Sequence, residues 1–347
     1  MKVTGVETFP IAVPAQQPGG PYWMFLRLDT DEGVSGYGEL MFMPLGFRWP
    51  VVSAMVEDLV DQAVLGHDPY NAEQLYDSIY GRAGYSHTPE KAKLAIVSAL
   101  DMACWDIVGK HLGQPVHRLL GGRVRDTVRT YTYMYAGTDE TDLDRSLREL
   151  WLDPEHAARR ARHYVDLGFT AIKLDPFALS VSDDQALGQT VPIQFTMSAL
   201  STAEAVIGAV RDEIGDSADI LIGTHGQMTP AAAIFNFDVG LVGGITEARK
   251  IATMAESHYV QISPHVYGGP MISAASVQLS LCSQNFLIME GLERFDGLYD
   301  ELTDPPFTWR QGFIIPSERP GLGYDLREDV ARRLRPEGPG PSQIRVY

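Results

Sequence analysis

Cysteine is nearly absent from this chain: two residues in 347, Cys104 and Cys282, each inside an apolar, helix-like stretch. A disulfide framework and a cysteine-based zinc site are thereby excluded, and a reducing compartment is expected. Positive charge is scarce as well. Lys and Arg number 28 against 45 Asp and Glu, a formal charge of −17, which argues against nucleic acid or an anionic membrane surface as a partner. No run of about 18 apolar residues occurs, so no membrane span is expected. Met1-Lys2-Val3-Thr4 leads into an alternating pattern rather than a signal-like stretch, and the expectation is a cytoplasmic protein. Glycine-rich nucleotide-binding motifs are missing, as are internal repeats beyond a βα alternation. What is there is 45% hydrophobic and 21% charged, an ordinary folded composition long enough for about two domains.

Val3, Val6 and Phe9, the run Trp23-Met24-Phe25-Leu26-Arg27-Leu28, and Val34-Ser35-Gly36-Tyr37-Gly38-Glu39 after a polar turn predict a strand meander with a hairpin. Helical periodicity follows over 51–64, 71–80 and 88–112, the last apolar almost all round and stopped by Gly113-Gln114-Pro115. Beyond Arg125 the pattern becomes strands alternating with helices. Strands are expected over 128–135, 170–175, 219–224, 235–239, 260–264 and 286–289, with helices over 153–167, 201–214, 245–258 and 269–283. That rhythm implies a parallel sheet and favours a closed barrel. The expected fold is α/β: an α+β capping domain at 1–125, with the tail 295–347 packing back on it, and a barrel domain at 126–294.

Residues at the C-terminal ends of barrel strands are the ones that reach a substrate. Lys173 lies near the end of an apolar strand in Ala171-Ile172-Lys173-Leu174-Asp175, where a buried amine is costly without a purpose. The plain alternative is a surface lysine capping the strand. His265 ends the penultimate strand and precedes Val266-Tyr267-Gly268-Gly269-Pro270, a turn whose glycines let backbone approach a ligand. Asp238 ends the strand before it, close enough for its carboxylate to orient the imidazole. Glu290 ends the last strand after the apolar Leu287-Ile288-Met289. Two capping-domain loops, 19–23 and 43–49, are rich in Gly, Pro and aromatics. They place Trp23 and Arg48 as candidate substrate contacts, the alternative being interface packing.

The stretch Ala99-Leu100-Asp101-Met102-Ala103-Cys104-Trp105-Asp106-Ile107-Val108-Gly109-Lys110, followed by Gly113-Gln114-Pro115-Val116 and Leu119-Leu120-Gly121-Gly122, resembles the signature helix of the mandelate racemase and muconate lactonizing branch of the enolase superfamily. The resemblance extends through the upstream meander and through Val239-Gly240-Leu241-Val242-Gly243-Gly244-Ile245-Thr246-Glu247-Ala248. It implies a capping domain on a modified barrel, with Mg²⁺ binding the carboxylate of a sugar acid, and it makes a homo-oligomer the expected assembly. It also implies Lys173 and the His265-Asp238 pair as base and acid on opposite faces of the α-carbon, and Glu290 as a contact to the substrate carboxylate or its enediolate. Lys-x-Asp at 173–175 is similar to sugar-acid dehydratases. Relatives carry the first metal-ligand aspartate at the place aligned with Gly223, and His225, two residues on, is implied as a substrate or acid-base contact. Leu221-Ile222-Gly223-Thr224-His225-Gly226-Gln227 is similar to cycloisomerases of 3,6-anhydro-galactonate. The candidate substrate contacts are thus His225, Asp175, Tyr267, Arg48 and Trp23; no metal ligand is assigned.

After the helix opened by Thr229-Pro230 the sequence passes abruptly to Phe235-Asn236-Phe237-Asp238. Two further strand-helix units, with the two glutamates of the metal site, are expected there in this family. The barrel span from Thr127 to Arg294 is 168 residues against about 250 in a typical barrel. An internal segment omitted from this sequence, a shortened relative and an engineered deletion all account for that. The expected activity is a Mg²⁺-dependent lyase or cycloisomerase that abstracts the α-proton of a sugar acid. The alternative is an inactive sugar-acid binding or scaffold relative that has lost the metal.

Overall fold

A computed structural model describes residues 1–14, 17–41, 47–81, 90–135, 152–177, 197–223 and 234–339. In chain order the elements are β1 (Val3–Ala12), β2 (Tyr22–Thr30), β3 (Ser35–Leu40), α1 (Trp49–Ala63), α2 (Ala72–Tyr76), α3 (Lys91–Leu112), α4 (Val116–Leu119), β4 (Val128–Tyr133), α5 (Pro154–Asp166), β5 (Ala171–Leu174), α6 (Met197–Ile214), β6 (Asp219–Ile222), β7 (Ile234–Phe235), α7 (Gly244–Ser257), β8 (Gln261–Ile262), α8 (Pro270–Cys282) and β9 (Met289–Gly291). Among the described residues no helix is long and apolar enough to cross a membrane. Contacts divide the chain into two compact units. One holds Met1–Arg129, Ala233–Trp309 and Ile314–Val346; the other holds Thr130–Ala232 with Arg310–Phe313.

In the first unit β1, β2 and β3 form an antiparallel sheet. The register sets Phe9 beside Phe25 and Phe25 beside Glu39. Helix α3 is buried almost all round, as its composition demands, and ends at Gly113 in the left-handed conformation (φ 64°). It lies directly on β3 because Gly36 and Gly38 present no side chain. A Cβ on either would collide with the carbonyl oxygens of Ala103 and Ala99. The same helix sends two buried carboxylates to distant segments. Asp106 accepts from Tyr37 N (2.9 Å), Leu322 N (2.8 Å) and Lys110 Nζ (2.7 Å). Asp101 accepts from Thr246 N (3.1 Å) and its hydroxyl (2.5 Å) at the start of α7, in space left free by Gly244.

The helix expected over 71–80 is a short α2 that passes into a π-helical turn at Asp77–Gly81. Helix α3 begins after Glu90, whereas the expected start at Thr88 and the helix opened by Thr229-Pro230 lie outside the described residues. Strand β7 is only two residues long. It pairs with β8 in parallel and resumes as an isolated bridge between Asp238 and His265.

The second unit is parallel βα structure. Strands β4, β5 and β6 pair in order, with Tyr133 beside Lys173 and Lys173 beside Leu221. Helix α5 starts where the sequence signals: Asp153 accepts from His156 N, Pro154 opens the helix, and α5 packs on α6. Tyr164, Phe169, Val206, Val210 and Ile214 fill the core between them.

Burial pushes the Asp101 carboxyl up to about 7 from its usual 3.8, against the pull of the Thr246 donors. The folded state therefore holds a proton that the unfolded chain releases near pH 4. The stability this confers is complete below that value and disappears as pH rises through about 7. Asp101→Asn, which mimics the neutral carboxyl, is expected to narrow the difference in thermal midpoint between pH 5 and pH 8 relative to the parent chain; calorimetric scans at the two pH values check it.

Candidate active site

The bridge that continues β7 and β8 brings two strand ends together. His265 donates its backbone N–H to the Phe237 carbonyl (2.8 Å), which sets its imidazole beside Asp238. Nδ1 lies 2.6 Å from Asp238 Oδ2, and the other carboxylate oxygen accepts from Gly240 N (2.7 Å). Asp238 is fixed from both sides, the second time by its own turn. Glu290, fully buried, donates its backbone N–H to the Pro264 carbonyl (3.0 Å) and points Oε2 at His265 Nε2, 3.5 Å away. That oxygen also accepts from Val266 N. Side-chain exposure is 30% for His265, 5% for Asp238 and 0% for Glu290, so the imidazole is the most accessible of the three. A proton on Nδ1, donated to Asp238, leaves Nε2 as the exchanging atom. Tyr267 is half-buried like His265, two residues before it, with Val266 buried between them.

In the second unit Lys173 is 9% exposed. Its Nζ donates to Tyr131 Oη (3.1 Å) and lies over the rings of Tyr131 and Tyr133, 5.2 and 4.7 Å from their centroids. Asp175 is buried and turns an oxygen back to Phe177 N (3.0 Å). The hydroxyl of Tyr133 occupies the space a side chain on Gly223 would need, and Lys173 Cε would stand 2.9 Å from a Cβ there.

The remaining candidates are scattered. Trp23 is 1% exposed, donates Nε1 to the Gly19 carbonyl (3.0 Å) and meets Tyr299 edge-on at 5.5 Å; it faces the interior behind Gly269. Arg48 is exposed at the residue preceding α1 and makes no capping bond with its side chain. His225 lies outside the described residues. An open cleft of about 790 Å³ lined by Tyr70, Trp105, Thr246, Arg249, Lys250 and Met254 contains none of the strand-end residues.

Three residues of these surroundings escape sequence reasoning. Tyr131 and Tyr133 read only as parts of a strand, although their i, i+2 spacing beside Lys173 is a usable signal. Glu39 reads as the end of a hairpin strand, yet it is completely buried and accepts from Gly269, Met271 and Ile272 N–H groups.

Residues 4–121 match the mandelate racemase/muconate lactonizing enzyme N-terminal domain, and residues 229–330 match the enolase C-terminal domain-like family. A mandelate racemase/muconate lactonizing enzyme of a Sulfitobacter species is 31% identical, with a TM-score of 0.85 over 98% of this chain and 97% of that one. The chain belongs to the mandelate racemase/muconate lactonizing enzyme branch of the enolase superfamily. Its curated relatives include a D-galactonate dehydratase of Ralstonia pickettii, 27% identical over 98% of this chain and 96% of the relative. A D-gluconate dehydratase of Thermoproteus tenax is 27% identical over 94% of this chain and 71% of its own length. The Ralstonia alignment spans 383 residues, more than the 347 of this chain, so that relative carries residues absent here.

Members of the superfamily generally use Mg²⁺. Position 223 does not fit it. Glycine offers no donor, and the space where a ligating side chain would begin is held by the Tyr133 hydroxyl. Among the described residues no group of three or more His, Cys, Asp or Glu side chains is placed to hold a metal ion. Gly223→Ala is expected to cost about 1–3 kcal/mol through overpacking against Tyr133, and less in a Tyr133→Phe background; urea unfolding midpoints of the three variants check it.

Proposed function

We propose that the chain is a sugar-acid lyase of the dehydratase or cycloisomerase type. The dehydratases among its relatives support the reaction class. The observation that carries the site is the 2.6 Å contact between His265 Nδ1 and Asp238 Oδ2, since it orients the imidazole and assigns proton exchange to Nε2.

The substrate is a small hydroxylated carboxylate. One of the two nitrogens, His265 Nε2 or Lys173 Nζ, takes the α-proton, and the C–H electron pair passes into an enediolate. The other donates a proton to the departing β-hydroxyl, which leaves as water; in the cycloisomerase variant a ring oxygen departs instead. The resulting enol regains a proton on carbon and becomes a 2-keto acid. Glu290 contacts the substrate carboxylate or its enediolate, and Tyr267 and Asp175 serve as substrate contacts. Where Lys173, gripped by Tyr131 and Tyr133, is the donor, it enters as the ammonium and its positive charge favours the developing enediolate. Mg²⁺ supplies that charge in superfamily members that bind it, and in this chain its ligands would have to come from elsewhere than residue 223.

Two substitutions test the reading with D-galactonate and D-gluconate as probes. His265→Asn is expected to lower kcat/KM by about 10²- to 10⁴-fold, the usual contribution of a general acid-base group, with the circular dichroism spectrum unchanged. Asp238→Asn keeps an acceptor for Gly240 N–H but weakens the hold on Nδ1, and a loss of about 10- to 100-fold is expected. Unchanged kcat/KM in His265→Asn would remove the pair from the mechanism.

A further inference from the structure

The segment that carries His265 is held down residue by residue, and the largest single anchor lies far away in sequence. His265 N–H is taken by the Phe237 carbonyl and Val266 N–H by Glu290. The Gly268 carbonyl accepts from Tyr299 Oη (2.7 Å). The next three N–H groups that point inward, those of Gly269, Met271 (3.0 Å) and Ile272 (3.1 Å), all go to the one carboxylate of Glu39. Glu39 itself cannot shift. Its strand is pinned by the approach of α3 at Gly38, and Phe25 stands beside it in the register.

The two glycines of the turn complete the fit. A Cβ on Gly268 would lie 3.1 Å from Glu39 Oε1. On Gly269 it would lie 2.8 Å from that oxygen, 2.8 Å from Trp23 and 3.0 Å from Phe25. The turn rests on the carboxylate because it has no side chains there. Such an arrangement is expensive for mere helix capping. Glu39 is wholly buried, and its carboxyl is pushed up to about 8 by desolvation and by the neighbouring Asp238 charge, against the pull of the three N–H groups. An exposed serine or threonine ahead of the helix would cap it at far smaller cost.

We propose that Glu39 is a positioning residue for the His265–Asp238 pair, setting the imidazole by clamping the Gly269–Ile272 backbone. The inference rests on the reading of His265 as the proton-transfer group and deepens it. Glu39 touches no substrate; it acts through four residues of backbone. The ionisable groups facing it are Asp238 and the Tyr299 hydroxyl, the latter pushed up by burial with the Glu39 and Asp238 charges adding to it.

Two variants of the full chain test it. Glu39→Gln keeps the shape but leaves one acceptor oxygen and turns an amide N–H₂ towards backbone donors. Gly269→Ala leaves Glu39 intact and lifts the turn from the other side, at a backbone conformation (φ −88°) that alanine adopts freely. Both are expected to unfold cooperatively in urea, to lose about tenfold or more in kcat on D-galactonate, and to keep KM within about twofold. The pH titration of the His265 imidazole, followed by NMR and independent of turnover, is expected to move by about half a unit or more in both. Folded variants with parental kcat and a parental His265 titration would reduce Glu39 to a helix cap. Failure of both to fold would equally overturn the proposal, because Glu39 would then be a requirement of the fold. If His265→Asn leaves kcat/KM unchanged, the mechanism falls while the imidazole titration still decides whether Glu39 positions that ring.

Discussion

A helix can approach a strand only as closely as the side chains between them permit, and the first unit is organised around a place where there are none. At Gly36 and Gly38 the carbonyls of Ala103 and Ala99 fill the volume where Cβ atoms would stand. With α3 that close, Asp106 reaches the Tyr37 N–H and Asp101 reaches the start of α7. Glu39, one residue past the contact, meets the turn after His265. A methyl group at position 38 would disturb all three connections at once. The signature stretch of the family is thus a structural device in this chain, and its aspartates are tethers rather than chemistry.

Each tether is a carboxylate withdrawn from water, and each is met mainly by backbone N–H groups rather than by opposite charge. Burial still wins for Asp101 and Glu39, whose carboxyls sit near 7 and 8. Asp106 has the Lys110 ammonium at 2.7 Å, yet desolvation still holds it above the usual carboxylate range. Buried polar links of this kind add little net stability but allow few alternative arrangements. That suits a unit whose strand ends must be held to fractions of an ångström.

The pairing of His265 with Asp238 was legible because strand ends in βα structure are neighbours by rule, and both residues were read at the ends of consecutive strands. Helix α5, expected over 153–167, was legible to within one residue at each end, and Asp153 and Pro154 are what fix its start. Glu39 was not, since its partners lie 230 or more positions away and nothing local distinguishes it from a solvent-facing acid at a hairpin end. Trp23 read as a candidate substrate contact because its loop is rich in glycine, proline and aromatics; its indole packs inward, where Gly269 leaves room. The strands expected over 235–239 and 260–264 were five residues each, whereas β7 and β8 have two each. Asn236 breaks the strand by sending its side chain to the Ser263 carbonyl (2.5 Å), and the ladder restarts only at Asp238.

The Tyr133 hydroxyl over Gly223 makes the two positions a single unit of change. Any side chain placed at 223 meets the phenol before it can meet a cation. A carboxylate there needs a smaller residue at 133 as well, two coordinated substitutions rather than one. The tyrosine behaves as a ratchet pawl against single-step change at position 223.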